Sequence, residues 1–229
     1  MGPARVKVII LAAGIGERML PLTRVTPKPL LRVGGMPLIE HHLRRVAAGG
    51  LRDVVINVSH LAEQITQFCG DGSRWGLSIQ YSHEETPLET AGGMLHARAR
   101  LGEQPFLALN GDVFTDYPLR RLCGQPLRAS EAARLVLVDN PPQHPRGDFA
   151  LDAHGWVRFR EAARAGFTYA GIGLFSWPLF QGLAAGRTPL RPLLDRAIGP
   201  GSLGGEYYAG VWEDVGTPAR LEALNARLG

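Results

Sequence analysis

Short apolar runs alternate with stretches of helical apolar spacing along the first half of the chain. Val6–Leu11 is β-branched and aliphatic and closes on Ala12-Ala13-Gly14, which predicts a buried strand entering a tight loop. Leu38–Ala48 places apolar residues at Leu38, Ile39, Leu43 and Val46 before Gly49-Gly50, which predicts a helix and its stop. Val54–Val58 and Phe106–Asn110 read as further buried strands and Leu77–Tyr81 as an alternating one. Ala62–Phe68 and Ala91–Arg100 read as helices. Such alternation predicts a parallel sheet covered on both faces. The second half is less regular. Strands are expected at Leu135–Val138, Phe149–Leu151, Val157–Phe159 and Tyr169–Phe175, and helices at Pro178–Ala184, Pro192–Ala197 and Pro218–Leu228. Asp139–Gly147 is a polar, Pro-rich loop. No linker, low-complexity tract or repeat interrupts the pattern, so one domain over 1–229 is expected.

Composition narrows the class. A chain of 229 residues, 45% hydrophobic and 20% charged, can bury a core without staples. Two cysteines, Cys69 and Cys123, make no disulfide framework, which fits a reducing cytoplasm. Apolar runs such as Val8–Ala13 fall far short of a membrane span, and no signal-peptide layout precedes Val6. The net charge of +4 invites a nucleic-acid reading. Against it, the basic residues are scattered, with Arg44–Arg45 and Arg120–Arg121 as the adjacent pairs and no interleaved aromatics. Of 25 basic residues only Lys7 and Lys28 are lysines. The seven histidines show no metal spacing.

The strongest motif follows the first strand: Leu11-Ala-Ala-Gly14-Ile-Gly16-Glu-Arg18-Met-Leu-Pro21-Leu-Thr23, then Pro27-Lys28-Pro29. Ligands of open α/β sheets bind at the carboxyl ends of strands, and glycines there let backbone N–H groups approach phosphate oxygens. Met19 stands where a dinucleotide fingerprint needs its third glycine, and no Gly-Lys-Ser/Thr follows Gly14. Instead the loop offers Arg18 and a lysine restricted by a proline on each side.

This signature resembles that of the sugar-1-phosphate nucleotidyltransferases, and the resemblance covers the whole chain. It implies a single-domain, Rossmann-like, doubly wound mixed α/β sheet of GT-A-like type, without a β-helix extension. About 1–117 would then hold the nucleotide and about 118–229 the sugar phosphate. Glu89-Thr-Ala-Gly-Gly93, Asn110-Gly-Asp112, Val138-Asp-Asn-Pro141, Arg146-Gly-Asp-Phe149 and Trp212-Glu-Asp-Val-Gly-Thr217 narrow the implied activity. It becomes Mg²⁺-dependent transfer of UMP from UTP to N-acetylmuramate α-1-phosphate, a step of peptidoglycan recycling. Guanylyl or thymidylyl transfer to mannose or glucose 1-phosphate stays open, and the substrates imply neither nucleic acid nor membrane. A monomer or small homo-oligomer is expected.

The chemistry of such a transfer asks for little base catalysis, because the sugar phosphate is already an anionic nucleophile. It asks for in-line positioning and positive charge. Arg18 suits the leaving pyrophosphate, and Lys28 the α-phosphate or the incoming phosphate. Asp112, just past a buried strand, and Asp214 are the expected metal ligands; Glu213 is a rival that a strand would turn to the opposite face. Leu11, Ala12, Ala13, Gly14 and Gly16 are expected on the nucleotide. Glu84, Thr90 and Gly92 are expected at the base, with a solvated loop charge as the alternative for Glu84. By resemblance Asn110, Asn140, Gly147 and Asp148 face the sugar. The lactyl carboxylate of a muramate wants a cation, for which Arg146 is the candidate, with others from Glu161–Phe167. A nucleotide-sugar glycosyltransferase would carry Asp-x-Asp, but Val113-Phe114 follows Asp112 and the next carboxylate is Asp116. A silent nucleotide-binding module would have no need of both Lys28 and Asp112.

Overall fold

The computed structural model describes residues 6–229. The expected lack of a leader rests partly on residues 1–5 and lies outside them. In chain order the elements are β1 (Lys7–Leu11), β2 (Arg32–Val33), β3 (Met36–Pro37), α1 (Leu38–Ala48), β4 (Asp53–Val58), α2 (Ala62–Cys69) and β5 (Ser78–His83). There follow α3 (Glu89–His96), α4 (Arg98–Leu101), β6 (Phe106–Asn110), β7 (Val113–Thr115), α5 (Leu119–Cys123) and β8 (Ala133–Val138). The chain ends with β9 (Phe149–Leu151), β10 (Val157–Phe159), β11 (Thr168–Phe175), α6 (Arg191–Ile198), β12 (Leu203–Tyr207), β13 (Trp212–Asp214) and α7 (Pro218–Leu228).

Seven strands form one sheet in the order β12-β8-β11-β6-β1-β4-β5. β1 lies between β6 and β4 and parallel to both, and β5 extends β4 in parallel. Alternation along these strands separates two cores. Val8, Ile10, Leu107 and Leu109 face α1 and α2, and Ile9, Phe106 and Ala108 face α3, α4 and α6. Both halves of the sequence contribute strands to the sheet.

The mixed sheet implied by the resemblance is what the structure shows, with the strands of the first half parallel as their alternation predicts and the antiparallel strand in the second half. β11 runs antiparallel to both β6 and β8. Its link to β8 carries the β9–β10 hairpin and no crossover helix, and a return without a crossover leaves strands antiparallel. The sheet is therefore mixed. The helix expected over Pro178–Ala184 is a 3-10 turn, Trp177–Phe180; Trp177, Leu179 and Phe180 are buried, and the chain turns away at Gln181-Gly182. The helix expected over Ala91–Arg100 starts earlier, at Glu89, and breaks at Ala97. α7 matches its expectation, with Pro218 in the first turn and the Thr217 hydroxyl accepting from Arg220 N.

Candidate active site

A cleft of about 550 Å³ opens at the carboxyl ends of β1, β4 and β6. The loop after β1 forms one wall from Leu11 to Met19. Gly16 takes φ 72°, and its carbonyl accepts from the buried Thr23 hydroxyl at 2.9 Å. The chain then makes a 3-10 turn over Glu17–Met19. Met19 is fully buried in a third core with Leu38 and Val215, so the neighbouring Arg18 stays exposed on the cleft wall.

Lys28 opens another 3-10 turn, anchored by the buried Pro27 and Pro29. Its ammonium donates to Asp112 Oδ2 at 2.6 Å. Asp112 stands between β6 and β7, and Val215 N donates to its carbonyl at 3.0 Å. β7 pairs antiparallel with β13, which sets Asp214 opposite Val113. Asp112 thus lies one residue before the strand that pairs with that of Asp214; Asp112 lines the cleft and Asp214 does not. Arg220 Nη1 of α7 donates to Asp214 Oδ2 at 2.6 Å. Glu213 turns away to Arg227. Behind β7, Arg45 donates to the Thr115 carbonyl, and burial draws this guanidinium down to about 10.

Glu84 lines the cleft, and its burial removes the alternative reading. It is not a solvated loop charge but 5% exposed. Its Oε1 accepts from Asn57 Nδ2 at 2.7 Å and its Oε2 from Leu88 N at 2.9 Å. Asn57 Oδ1 in turn accepts from Ala12 N at 2.7 Å. One buried amide therefore ties the phosphate-type loop to the loop after β5. A Cβ on Gly93 would come within 2.7 Å of Glu84 Oε1, so glycine there makes room for the pair. Gly92 is not on the cleft wall. A Cβ there would meet the Gly186 carbonyl at 2.3 Å, and Gly92 N donates to the Thr188 carbonyl at 3.0 Å. Thr90 lines the cleft, beside an ion pair of Glu89 and Arg187 at 2.7 Å.

Asn110 reaches the same cleft, but Asn140, Gly147 and Asp148 do not line it. Gly147 and Asp148 line a second cleft of about 550 Å³ with Arg146. Asn140 is spent on the loop: it donates to the Gly166 carbonyl at 2.7 Å and accepts from the Thr168 hydroxyl at 2.9 Å.

Sequence reasoning missed Asn57, Arg187 and Arg220. Asn57 left a trace, being the polar residue of an apolar strand, which needs a partner when buried. Arg187 and Arg220 left none.

The two aspartates fit a divalent cation shared with a substrate. Each spends Oδ2 on a cationic side chain and keeps Oδ1. Gly216 lines the cleft, and a Cβ there would sit 3.1 Å from both Asp214 oxygens. Among the described residues no group of three or more His, Cys, Asp or Glu could hold a metal alone. One or two carboxylates completed by phosphate oxygens and water is the set that Mg²⁺ accepts.

The fold has a counterpart in a Bacillus anthracis protein assigned as a glucose-1-phosphate thymidylyltransferase, in complex with sucrose. The TM-score is 0.85 at 23% identity, over 97% of this chain and 95% of that one. N-acetylmuramate alpha-1-phosphate uridylyltransferase of Neisseria meningitidis serogroup B is 44% identical over 97% of this chain and 98% of its own. The Caulobacter vibrioides protein of the same name is 34% identical over 96% of each. The nucleotidyl transferase family profile matches residues 7–228. With strand ends that gather Arg18, Lys28 and Asp112 on one cleft, and with these relatives spanning nearly its whole length, the chain belongs to the nucleotidyl transferase family.

Proposed function

We propose that this nucleotidyltransferase moves UMP from UTP to N-acetylmuramate α-1-phosphate, giving UDP-N-acetylmuramate and pyrophosphate. The observation that carries the reading is the convergence of Arg18, Lys28 and Asp112 on one cleft, in a chain 44% identical to an enzyme of that name. Leu11 to Gly16 line the triphosphate, and Arg18 balances the leaving pyrophosphate with an always-charged fork. Lys28 moves its ammonium from Asp112 toward the phosphates that approach each other, which reduces their repulsion. Asp112 and Asp214 hold Mg²⁺, which when bound supplies charge neutralisation on the phosphate oxygens. Glu84 acts as a positioning residue for the base loop, because both its oxygens are already engaged. Thr90 and the backbone around it face the base. Asn110 faces the sugar from the first half, and Gly147 and Asp148 from the second. Such an enzyme would work in the cytoplasm, on UTP and on a sugar recovered from peptidoglycan.

The test is a substrate matrix. The four ribonucleoside triphosphates and dTTP are each offered with a panel of α-sugar 1-phosphates and Mg²⁺, and pyrophosphate release is followed. UTP with the muramate should be fastest. Faster turnover of glucose or mannose 1-phosphate would reassign the acceptor.

A further inference from the structure

The second cleft carries more positive charge than its own structure uses. Arg146, Arg160 and Arg191 line it against one carboxylate, Asp148. Asp148 is already engaged: Oδ2 accepts from Tyr169 N at 2.9 Å, and Oδ1 lies 3.2 Å from His144 Nε2 and 3.5 Å from Arg191 Nη1. Arg191 is held from outside. Its Nε donates to Asp195 at 2.7 Å, and its guanidinium lies 4.5 Å from the centre of the Phe149 ring. Arg160 uses Nη1 to staple the Glu161 and Arg164 carbonyls. Arg146 is exposed, and among the described residues no hydrogen bond or ion pair engages its guanidinium. A preorganised guanidinium beside an unengaged one suits a planar anion, which takes paired N–H bonds.

The two clefts are joined through β11. Asp148 fastens to Tyr169, and Gly171 packs against the Asn110 side chain on the floor of the nucleotide cleft. The strand is bulged between these attachment points: its pairing with β8 shifts register between Tyr169 and Gly173, and Gly171 takes φ 72°.

We propose that the second cleft is the subsite for a carboxylate borne by the sugar ring, and that Arg146 and Arg191 select sugar 1-phosphates that carry one. This rests on the uridylyl-transfer reading above and deepens it. N-acetylmuramate differs from N-acetylglucosamine by its lactyl ether, and the lactyl carboxylate is the group these arginines would read.

The experiment compares kcat/KM for N-acetylmuramate and N-acetylglucosamine α-1-phosphates, each with UTP and Mg²⁺. The proteins are wild type, Arg146→Ala, Arg146→Lys and the double variant Arg146→Ala/Arg191→Ala. Both arginines are exposed, so the fold should survive, and thermal melts check it. Wild type should favour the muramate. Arg146→Ala should lower kcat/KM for the muramate about tenfold or more, mostly through KM, with less than about threefold change for the glucosamine. Arg146→Lys should recover part of the loss, and the double variant should lose the preference. Equal losses on both sugars, or a preference kept in the double variant, would overturn the subsite alone. Wild type that turns over neither sugar would overturn the uridylyl reading, and the subsite with it.

Discussion

Lys28 Nζ lies 2.6 Å from Asp112 Oδ2, so the cation proposed for phosphate and the carboxylate proposed for metal are each other's partner. The lysine side chain is only 11% exposed. Removing Asp112 leaves a nearly buried ammonium without its counter-charge, which costs stability as well as chemistry. Asp112→Ala should abolish pyrophosphate release and lower the urea midpoint while the protein still folds. Lys28→Ala should slow turnover on the order of 10²-fold through lost charge stabilisation. Lys28→Arg should rescue little, because a planar fork does not replace a compact point charge on a turn held by two buried prolines. Retained activity in Asp112→Ala would remove it from the metal site.

Asn57 holds two walls of the cleft together, so its loss should read as a loosened site. Asn57→Ala leaves Ala12 N without its acceptor and Glu84 without its donor, at a cost of about 3 kcal/mol in stability. The KM for UTP should rise more than kcat falls. Gly93→Ala should mimic it, since the new Cβ would strike Glu84 Oε1 and Asn57 Nδ2. Unfolding curves and UTP saturation curves check both variants. A Gly93→Ala protein with wild-type KM would show that the pair can yield.

The metal role proposed for Asp214 gives its partner Arg220 a positioning role. The arginine fixes one carboxylate oxygen and leaves the other without a hydrogen-bond partner among the described residues, and partners of metal ligands typically contribute tenfold or more to affinity. In Arg220→Ala the Mg²⁺ concentration for half-maximal rate should rise about tenfold, with the saturated kcat less affected. The α7 cap should persist, because Thr217 accepts from the Arg220 backbone. Mn²⁺ binding followed by electron paramagnetic resonance gives a second readout. An unchanged metal requirement would leave Arg220 a surface ion pair.

Much of this site could be read from the chain before any coordinates. The run ending at Leu11 and the glycines after it define the phosphate-type loop locally, and local signals survive without tertiary context. α1 was legible for the same reason. What escaped depends on partners distant in sequence. Asn57 serves Ala12 across 45 positions, and Arg187 meets Glu89 across 98. β7 and β13 are three residues each and exist through their pairing, so no period could reveal them. For Glu84 a solvated loop charge stayed open as the alternative, because sequence does not show that a glycine nine positions later admits its partner. The reversal of β11 follows from how the β9–β10 hairpin replaces a crossover, which is topology and not pattern.

His42 should give the enzyme an acid-sensitive core. It is fully buried in α1, and among the described residues its Nε2 has no hydrogen-bond partner. Burial holds its pKa well below the ordinary value of 6.5, and the Arg45 and His41 charges push the same way. The folded ring therefore stays neutral while the unfolded one titrates near 6.5. Above that pH neither state binds the proton, and stability is flat in this group. Below it the unfolded chain takes a proton that the folded chain refuses, so stability falls with acid, by up to about 1.4 kcal/mol per pH unit. His42→Met removes both the refused proton and the unpaired nitrogen, and a flexible thioether can fill the space. Urea unfolding between about pH 8 and pH 5 should show a shallower acid slope for the variant than for wild type. Identical slopes would place the acid sensitivity in other groups.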